Sequence, residues 1–347
     1  MKKFFLYTLL ALALLIIGGL FYLNNNQDAL LEQMVKRQIS TNDKFHAKLL
    51  SEENGITVYT VGTATPLPSK RSQTCTAIFV NGHFFVFDIG DGAVKKMEDL
   101  NFPLAELDGI FITHYHTDHY IDLPYLINRS WQMGRNTDLE VYAPTGIDSI
   151  LHHIHGFLAI ENSHRLAHHG EEIMPTKYSG AIPKVIPMEK NDSQLVYDND
   201  GIKITAFDVG HEPVTPDFGY KIEYNGKTVV LSGDTNKNKN VLAQAKNADL
   251  LIHEAMLMDV IQQLSDIQGK LENDRMQHIL HDIQNYHTSP QDAAQIAQEA
   301  GVKKLVLNHL GPAPDNFILK RRFKKAIKGI FDGEVIISDD GDKFFVE

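Results

Sequence analysis

The chain has 347 residues, 43% of them hydrophobic and 22% charged, with 24 Gly and 13 Pro, a globular composition that excludes disordered, collagen-like and coiled-coil classes. Lys and Arg number 33 against 44 Asp and Glu, and the formal charge of -11 opposes general affinity for nucleic acid, which needs a positive face. One cysteine, Cys75, excludes an internal disulfide and Cys-rich zinc modules, so any metal must be held by carboxylates and by some of the 17 His.

Lys2 and Lys3 precede an uncharged apolar run from Phe4 to Leu23. Its length of roughly 20 residues, at about 1.5 Å each, matches a hydrocarbon core of about 30 Å. The run ends Gly19-Leu20-Phe21-Tyr22-Leu23-Asn24 without a small-residue cleavage site, so residues 1–23 are expected to form an uncleaved transmembrane signal anchor; cleavage would release a secreted body. Basic residues before the run and none in Asn24 to Asp28 place the N-terminus in the cytoplasm and the body outside, facing a periplasm. Residues 24–53 read as a juxtamembrane linker with Leu30, Leu31, Met34, Val35 and Ile39 at helical spacing.

Residues 54–347 read as one α/β unit, with no Pro/Ser-rich linker and no repeat of fixed period. Strands are expected over 56–61, 76–80, 83–88, 109–113, 203–209, 219–224 and 228–232, with turns at Asn81-Gly82, Asp91-Gly92 and Asn225-Gly226. Further on, 291–301 is expected as a helix and 304–308 as a buried strand. A second helix is expected over 315–331, with Leu319, Phe323, Ile327 and Ile330 on its apolar face.

The strand at 109–113 runs into His114-Tyr115-His116-Thr117-Asp118-His119, an H-x-H-x-D-H pattern at a strand end. In an extended segment His114 and His116 point to one side and both reach one cation, while Asp118 and His119 follow in the turn and address a second.

With these residues the sequence resembles the metallo-β-lactamase superfamily, within it the branch that contains tRNase Z and the zinc-dependent arylsulfatases. The resemblance covers about residues 55–347 and includes Val61-Gly62-Thr63-Ala64-Thr65-Pro66 and Phe87-Asp88-Ile89-Gly90-Asp91-Gly92. Downstream it includes Gly210-His211-Glu212-Pro213, Ser232-Gly233-Asp234-Thr235, His253-Glu254-Ala255, His287-Thr288-Ser289 and Asn308-His309-Leu310. Met256 stands where the branch usually has Thr.

The resemblance implies an αββα sandwich and two Zn²⁺ per chain, with Mn or Fe also compatible. It implies that His114, His116 and His211 hold one ion, that Asp118, His119 and His309 hold the other, and that Asp234 bridges them. It also implies metal-activated water as nucleophile, with Asp118 as a proton acceptor, and Glu254 orienting a catalytic His287. Read alone, Thr288 or Ser289 before Pro290 is a helix cap, and His287 then only lies alongside.

The tRNase Z enzymes carry a basic, Gly-rich arm ahead of the third histidine. Residues 120–200 here hold six Lys/Arg against eleven Asp/Glu. The expected function is therefore a periplasm-facing hydrolase of small anionic phosphodiester or sulfate esters, with nucleic acid not an expected partner and a homodimer admitted. The alternatives are a tRNase Z-type endoribonuclease and a metal-binding scaffold without turnover. His152, His153, His155, His164, His168 and His169 are expected as surface residues of a helix. The stretch 259–286 is expected as a lid or a packed surface helix, and the Lys320 to Lys328 basic run as a solvated helix face, with anionic lipid as the sharper alternative.

Overall fold

A computed structural model describes residues 2–51 and 54–347, with their side chains apart from those of residues 2–11, 13 and 14. The chain divides into two units, residues 1–48 and 49–347. The first holds helices α1 (Lys2–Asn25) and most of α2 (Gln27–Leu50), the latter much longer than the short amphipathic segment expected there. Among the described residues no helix is long and apolar enough to cross a membrane, so the predicted anchor over 1–23 finds no support. Much of that segment's side-chain structure lies outside the described residues.

In the second unit β1 (Ile56–Gly62), β2 (Cys75–Val80) and β3 (His83–Phe87) form an antiparallel meander, followed by helix α3 (Ala93–Asp99). β4 (Leu107–Phe111), short helix α4 (Thr117–Tyr120), α5 (Leu123–Gln132), β5 (Glu140–Ala143), α6 (Ile147–His169) and β6 (Ile182–Val185) then extend the sheet in parallel. The second sheet starts with antiparallel β7 (Ser193–Asn199), β8 (Ile202–Asp208), β9 (Phe218–Tyr224) and β10 (Lys227–Leu231). It continues in parallel through α7 (Lys239–Gln244), β11 (Leu250–Met256), α8 (Met258–Lys270), α9 (Asp274–Asp282), α10 (Pro290–Ala300), β12 (Lys304–Gly311), α11 (Phe317–Ala326) and β13 (Glu334–Ile337). The last strand, β14 (Asp342–Val346), returns to pair with β1, giving the orders β14-β1-β2-β3-β4-β5-β6 and β13-β12-β11-β10-β9-β8-β7.

Alternation along the strands separates two cores. Phe85, Phe87 and Phe111 of the first sheet meet Ile204, Tyr220 and Ile252 of the second between the sheets. Val230, Leu251 and Leu305 turn the other way, onto Ala297, Phe323 and Ile327 of the outer helices. Strands covered on both faces carry continuous apolar runs, which is why β1 and β2 are buried at every residue. At both predicted Asn-Gly hairpins the two turn residues have positive φ, 48° and 84° at Asn81-Gly82 and 51° and 76° at Asn225-Gly226. That is the type I′ turn whose twist matches the flanking strands.

β5, β6, β7, β11, β13 and β14 were not among the expected strands. β6 and β7 are largely exposed and only four and seven residues long, so their apolar pattern is weak. The helix expected over 315–331 is shorter, because the Asn316 side chain caps it by accepting from the Ile318 and Leu319 amides, and Gly329 beyond it has φ 75°.

His83 in β3 ties the two sheets at one end. Its Nδ1 lies 3.3 Å from Asp108 and its Nε2 3.0 Å from Asp200, at the β7–β8 turn. The nearby Asp108 carboxylate, aided by Asp200 and opposed by burial, raises its pKa above the ordinary 6.5. A raised folded-state pKa stabilises below the unfolded value and the gain disappears as pH rises through the folded one. His83→Gln is therefore expected to lower the melting temperature at pH 5.5 and to converge on wild type by about pH 8.5, well above the usual His range; a gap constant across that series would contradict the assignment.

Candidate metal centre

The H-x-H-x-D-H segment emerges from β4 two residues earlier than expected, the strand ending at Phe111. It is pinned from below by the turn after β3, where Ile89 N–H donates to the His119 carbonyl at 2.7 Å and Asp122 N–H donates to the Ile89 carbonyl at 3.1 Å. A Cβ on Gly90 would stand 2.1 Å from the Asp118 carbonyl oxygen, so the motif helix sits against a residue that must be glycine.

The seven predicted donors, carried on four separate segments, converge. Donor atoms of His114, His116, His211 and Asp234 lie within 4.8 Å of one another, as do those of Asp118, His119 and His309. Asp234, His287 and His309 form a third overlapping group. Asp234 stands between the first two sets: Oδ2 is 3.3 Å from His119 Nε2 and Oδ1 is 3.4 Å from His309 Nδ1. Asp118 Oδ2 is 3.1 Å from His309 Nε2.

His309 reaches the site through an irregularity. β11 and β12 pair in register up to Glu254 and Asn308 and resume at Ala255 and Leu310, so His309 is an extra residue, with φ 43°. Such a bulge re-aims a side chain that regular pairing would bury in the sheet.

Partners behind the imidazoles fix their orientation. Asp88 accepts from the Thr113 amide at 2.8 Å and lies 2.8 Å from His119 Nδ1, which leaves Nε2 facing the cluster. His211 Nδ1 donates to the Tyr286 carbonyl at 3.0 Å, again freeing Nε2. Asp217 Oδ2 is 3.2 Å from His114 Nδ1, both side chains fully buried. Asp217, which directly precedes β9, escaped sequence reasoning. As an oriented carboxylate–histidine contact, it is expected on mutation to Ala to weaken metal binding about 10- to 100-fold, measured by competition with a chromogenic chelator.

The electrostatics fit a cation pair. Burial lowers the pKa of His114 and His116, and of His211, below the ordinary value, which keeps them as neutral, lone-pair-bearing imidazoles. Burial alone would also lower His119, but Asp234, Asp88 and Asp118 hold its pKa well above that value. Asp234 is held well below the carboxylate range by His309 and His119 against the opposing effect of burial. A field that binds a proton this firmly also favours a divalent cation, whose binding releases protons. His119 Nε2, His211 Nε2 and His309 Nδ1 are buried without a hydrogen-bond partner, as expected of donors that turn toward an ion.

Glu254, on β11, is held by the amides of Thr235 and Thr288, 3.1 and 3.0 Å from Oε1, and the same oxygen lies 3.1 Å from His287 Nδ1. The His287 ring lies between the two donor sets, with centroids 5.1 Å from His211 and 5.5 Å from His309. Burial opposes its protonation, but Glu254, Asp234 and Asp118 outweigh burial and raise its pKa. Ser289 is the N-cap of α10, accepting from the Asp292 amide, so the cap and the Glu254–His287 pair coexist. Above the centre, 259–286 folds as α8 and α9, with Ile261 and Leu280 packed on Met256 and Leu67. The six α6 histidines do not join the cluster; among the described residues the metal-competent groups are the three above.

A Beta-lactamase superfamily domain model matches residues 86–310. Ribonuclease Z of Mycolicibacterium gilvum is 30% identical over 261 residues, 74% of this chain and 85% of that protein. Ribonuclease Z of Mycobacterium bovis is 28% identical over 257 residues, 73% and 85% respectively. Among solved structures, the metallo-β-lactamase fold protein YhfI of Bacillus subtilis superimposes with a TM-score of 0.59 at 20% identity, covering 84% of this chain and all of that one. Human tRNase Z, short form, gives 0.57 at 23%, covering 83% and 98%.

Proposed function

The chain belongs to the metallo-β-lactamase superfamily, in its tRNase Z-like branch, and is a metal-dependent hydrolase acting on ester bonds; from that premise we propose that it cleaves phosphodiester bonds in RNA in the manner of its ribonuclease Z relatives. The observation that carries the reading is the convergence of two donor sets with a carboxylate-held histidine placed between them. In this reading His114, His116 and His211 would hold one ion and Asp118, His119 and His309 the other, with Asp234 available to both. The imidazole and carboxylate donors suit Zn²⁺. Two such ions supply Lewis acidity toward the phosphoryl oxygens and a water nucleophile usable near neutral pH.

The chain's own groups then manage the protons. Water oxygen attacks phosphorus, Asp118 accepts the water's proton, the P–O bond to the leaving oxygen breaks, and His287 donates a proton to that oxygen. Glu254 keeps the imidazole charged and aimed. The Tyr286 carbonyl, just beyond α9, accepts from His211 Nδ1 and so orients that ring.

This reading reverses the expectation that nucleic acid is not a partner, since the relatives are named for RNA cleavage. The expectation rested on the net charge of -11, on the acidic excess where a basic arm would lie and on the expected anchor, none of which reports on patches elsewhere in the chain. The experiment is cleavage of a tRNA transcript with a 3′ trailer by the zinc-loaded chain, with bis(p-nitrophenyl) phosphate and p-nitrophenyl sulfate in parallel. Zinc-dependent trimming of the transcript supports the reading. Turnover of the small esters with none of the transcript would favour a second reading, a hydrolase of small anionic esters, supported by the acidic excess across 120–200. A membrane or periplasmic location rests on residues 4–23 of the sequence alone.

A further inference from the structure

The strongest positive feature of this acidic chain lies on α11, directly after the strand that carries His309. At 100° per residue, Leu319, Phe323, Ala326 and Ile327 face inward and pack in the outer core. Two flanking cations are already engaged: Lys320 with Asp339 at 2.6 Å and Arg322 with Asp259 at 2.6 Å. The outer face is left with Arg321, Lys324 and Lys325, continued by Lys328 in the turn just beyond the helix, all exposed and without a carboxylate partner among the described residues, and with Phe317 and Ile318 at its N-terminal end, 77% and 57% exposed.

Position ties this strip to the metal centre. Phe317 follows His309 by eight residues, a span of at most about 28 Å of extended chain. A cavity of about 400 Å³ lies between Leu257, Gln291, Arg322 and Lys325. Leu257 is three residues beyond Glu254 and Gln291 four beyond His287, so the hollow opens between the segments that carry the acid pair and the strip.

We infer that the outer face of α11 is a docking strip for the phosphate backbone of the RNA substrate, with Phe317 as a stacking platform at the end nearer His309; this rests on the ribonuclease reading. Four cations spaced along about two turns match successive phosphates, and an exposed aromatic ring beside them stacks on a base of any sequence. A lipid surface fits less well. A membrane-lying helix presents a continuous apolar face, whereas the apolar face of α11 is consumed by the protein core.

The test uses the full zinc-loaded chain and a variant with Arg321, Lys324, Lys325 and Lys328 all replaced by Gln, a good helix former that keeps the stems. Unchanged thermal melting and zinc content confirm that the variant is folded. Binding of a fluorescent trailer-bearing tRNA transcript is followed across a potassium chloride series. Each phosphate contact contributes about 0.7 to 0.9 to the salt slope, so the variant is expected to bind at least about tenfold more weakly at low salt, with a slope reduced by about 3. An unchanged slope and affinity overturn the proposal. So does cation-dependent binding to mixed phosphatidylcholine–phosphatidylglycerol vesicles with none to the transcript. Wild-type zinc-dependent turnover of bis(p-nitrophenyl) phosphate is read separately: its absence is the failure of the hydrolase reading, whereas a strip that does not bind RNA leaves that turnover in place.

Discussion

Replacing Asp234 with Ala is expected to lower turnover by about 10³-fold or more and to reduce bound metal from two ions toward one. The carboxylate faces both donor sets, within 3.4 Å of His119 and His309 and grouped with His114, His116 and His211. Lewis-acid stabilisation of a phosphoryl transition state is worth several kcal/mol, and about 1.4 kcal/mol corresponds to a factor of ten. Metal analysis of the purified variant beside its kcat checks both halves. Two retained ions with wild-type kcat would contradict the bridging role. The fold should survive, because Asp234 lies at the end of β10 and contributes nothing to either apolar core.

The second large effect concerns the leaving group. His287→Ala is expected to lower kcat on the RNA transcript by 10²- to 10⁴-fold, the usual range for a general acid. On bis(p-nitrophenyl) phosphate the loss should be far smaller, since nitrophenolate departs without a proton. Glu254→Gln should follow the same pattern more weakly, because a neutral amide no longer favours the charged imidazole. It should also bring down the upper limb of the pH profile, as the pKa raised by Glu254 falls back. Equal losses on both substrates would mean that His287 serves structure or binding. A positional role alone, such as lying beside the Ser289 cap, would leave both substrates and the pH profile unmoved.

The chemistry of these residues and their local spacing were legible in the chain. Asp118 and His119 sit one turn beyond His114 and His116, and a strand end running into a short helix is enough to bring four donors to one edge. Both Asn-Gly hairpins were equally local, since φ above zero at two successive residues is a demand that Asn and Gly meet in any context. The short edge strands were not, because strands of four residues with exposed faces carry no periodic signal.

Net charge is blind to local surfaces for a related reason. A sum of -11 is compatible with four unpaired cations along the outer face of a helix and the turn just beyond it, because pairing of Lys320 and Arg322 with Asp339 and Asp259 is decided by packing. The apolar run at the N-terminus forms a helix, but among the described residues no helix is long and apolar enough to cross a membrane.

The sequence by itself determined the donor types, the hairpins and the family to which they belong, because each follows from side-chain chemistry and contacts a few residues apart. Only the tertiary structure decided that His309 meets Asp118 across 191 residues, that a bulge turns its ring inward, and that Asp217 and Asp88 stand behind His114 and His119. Those facts depend on how two sheets pack face to face, and that packing is set by the whole buried apolar surface acting together.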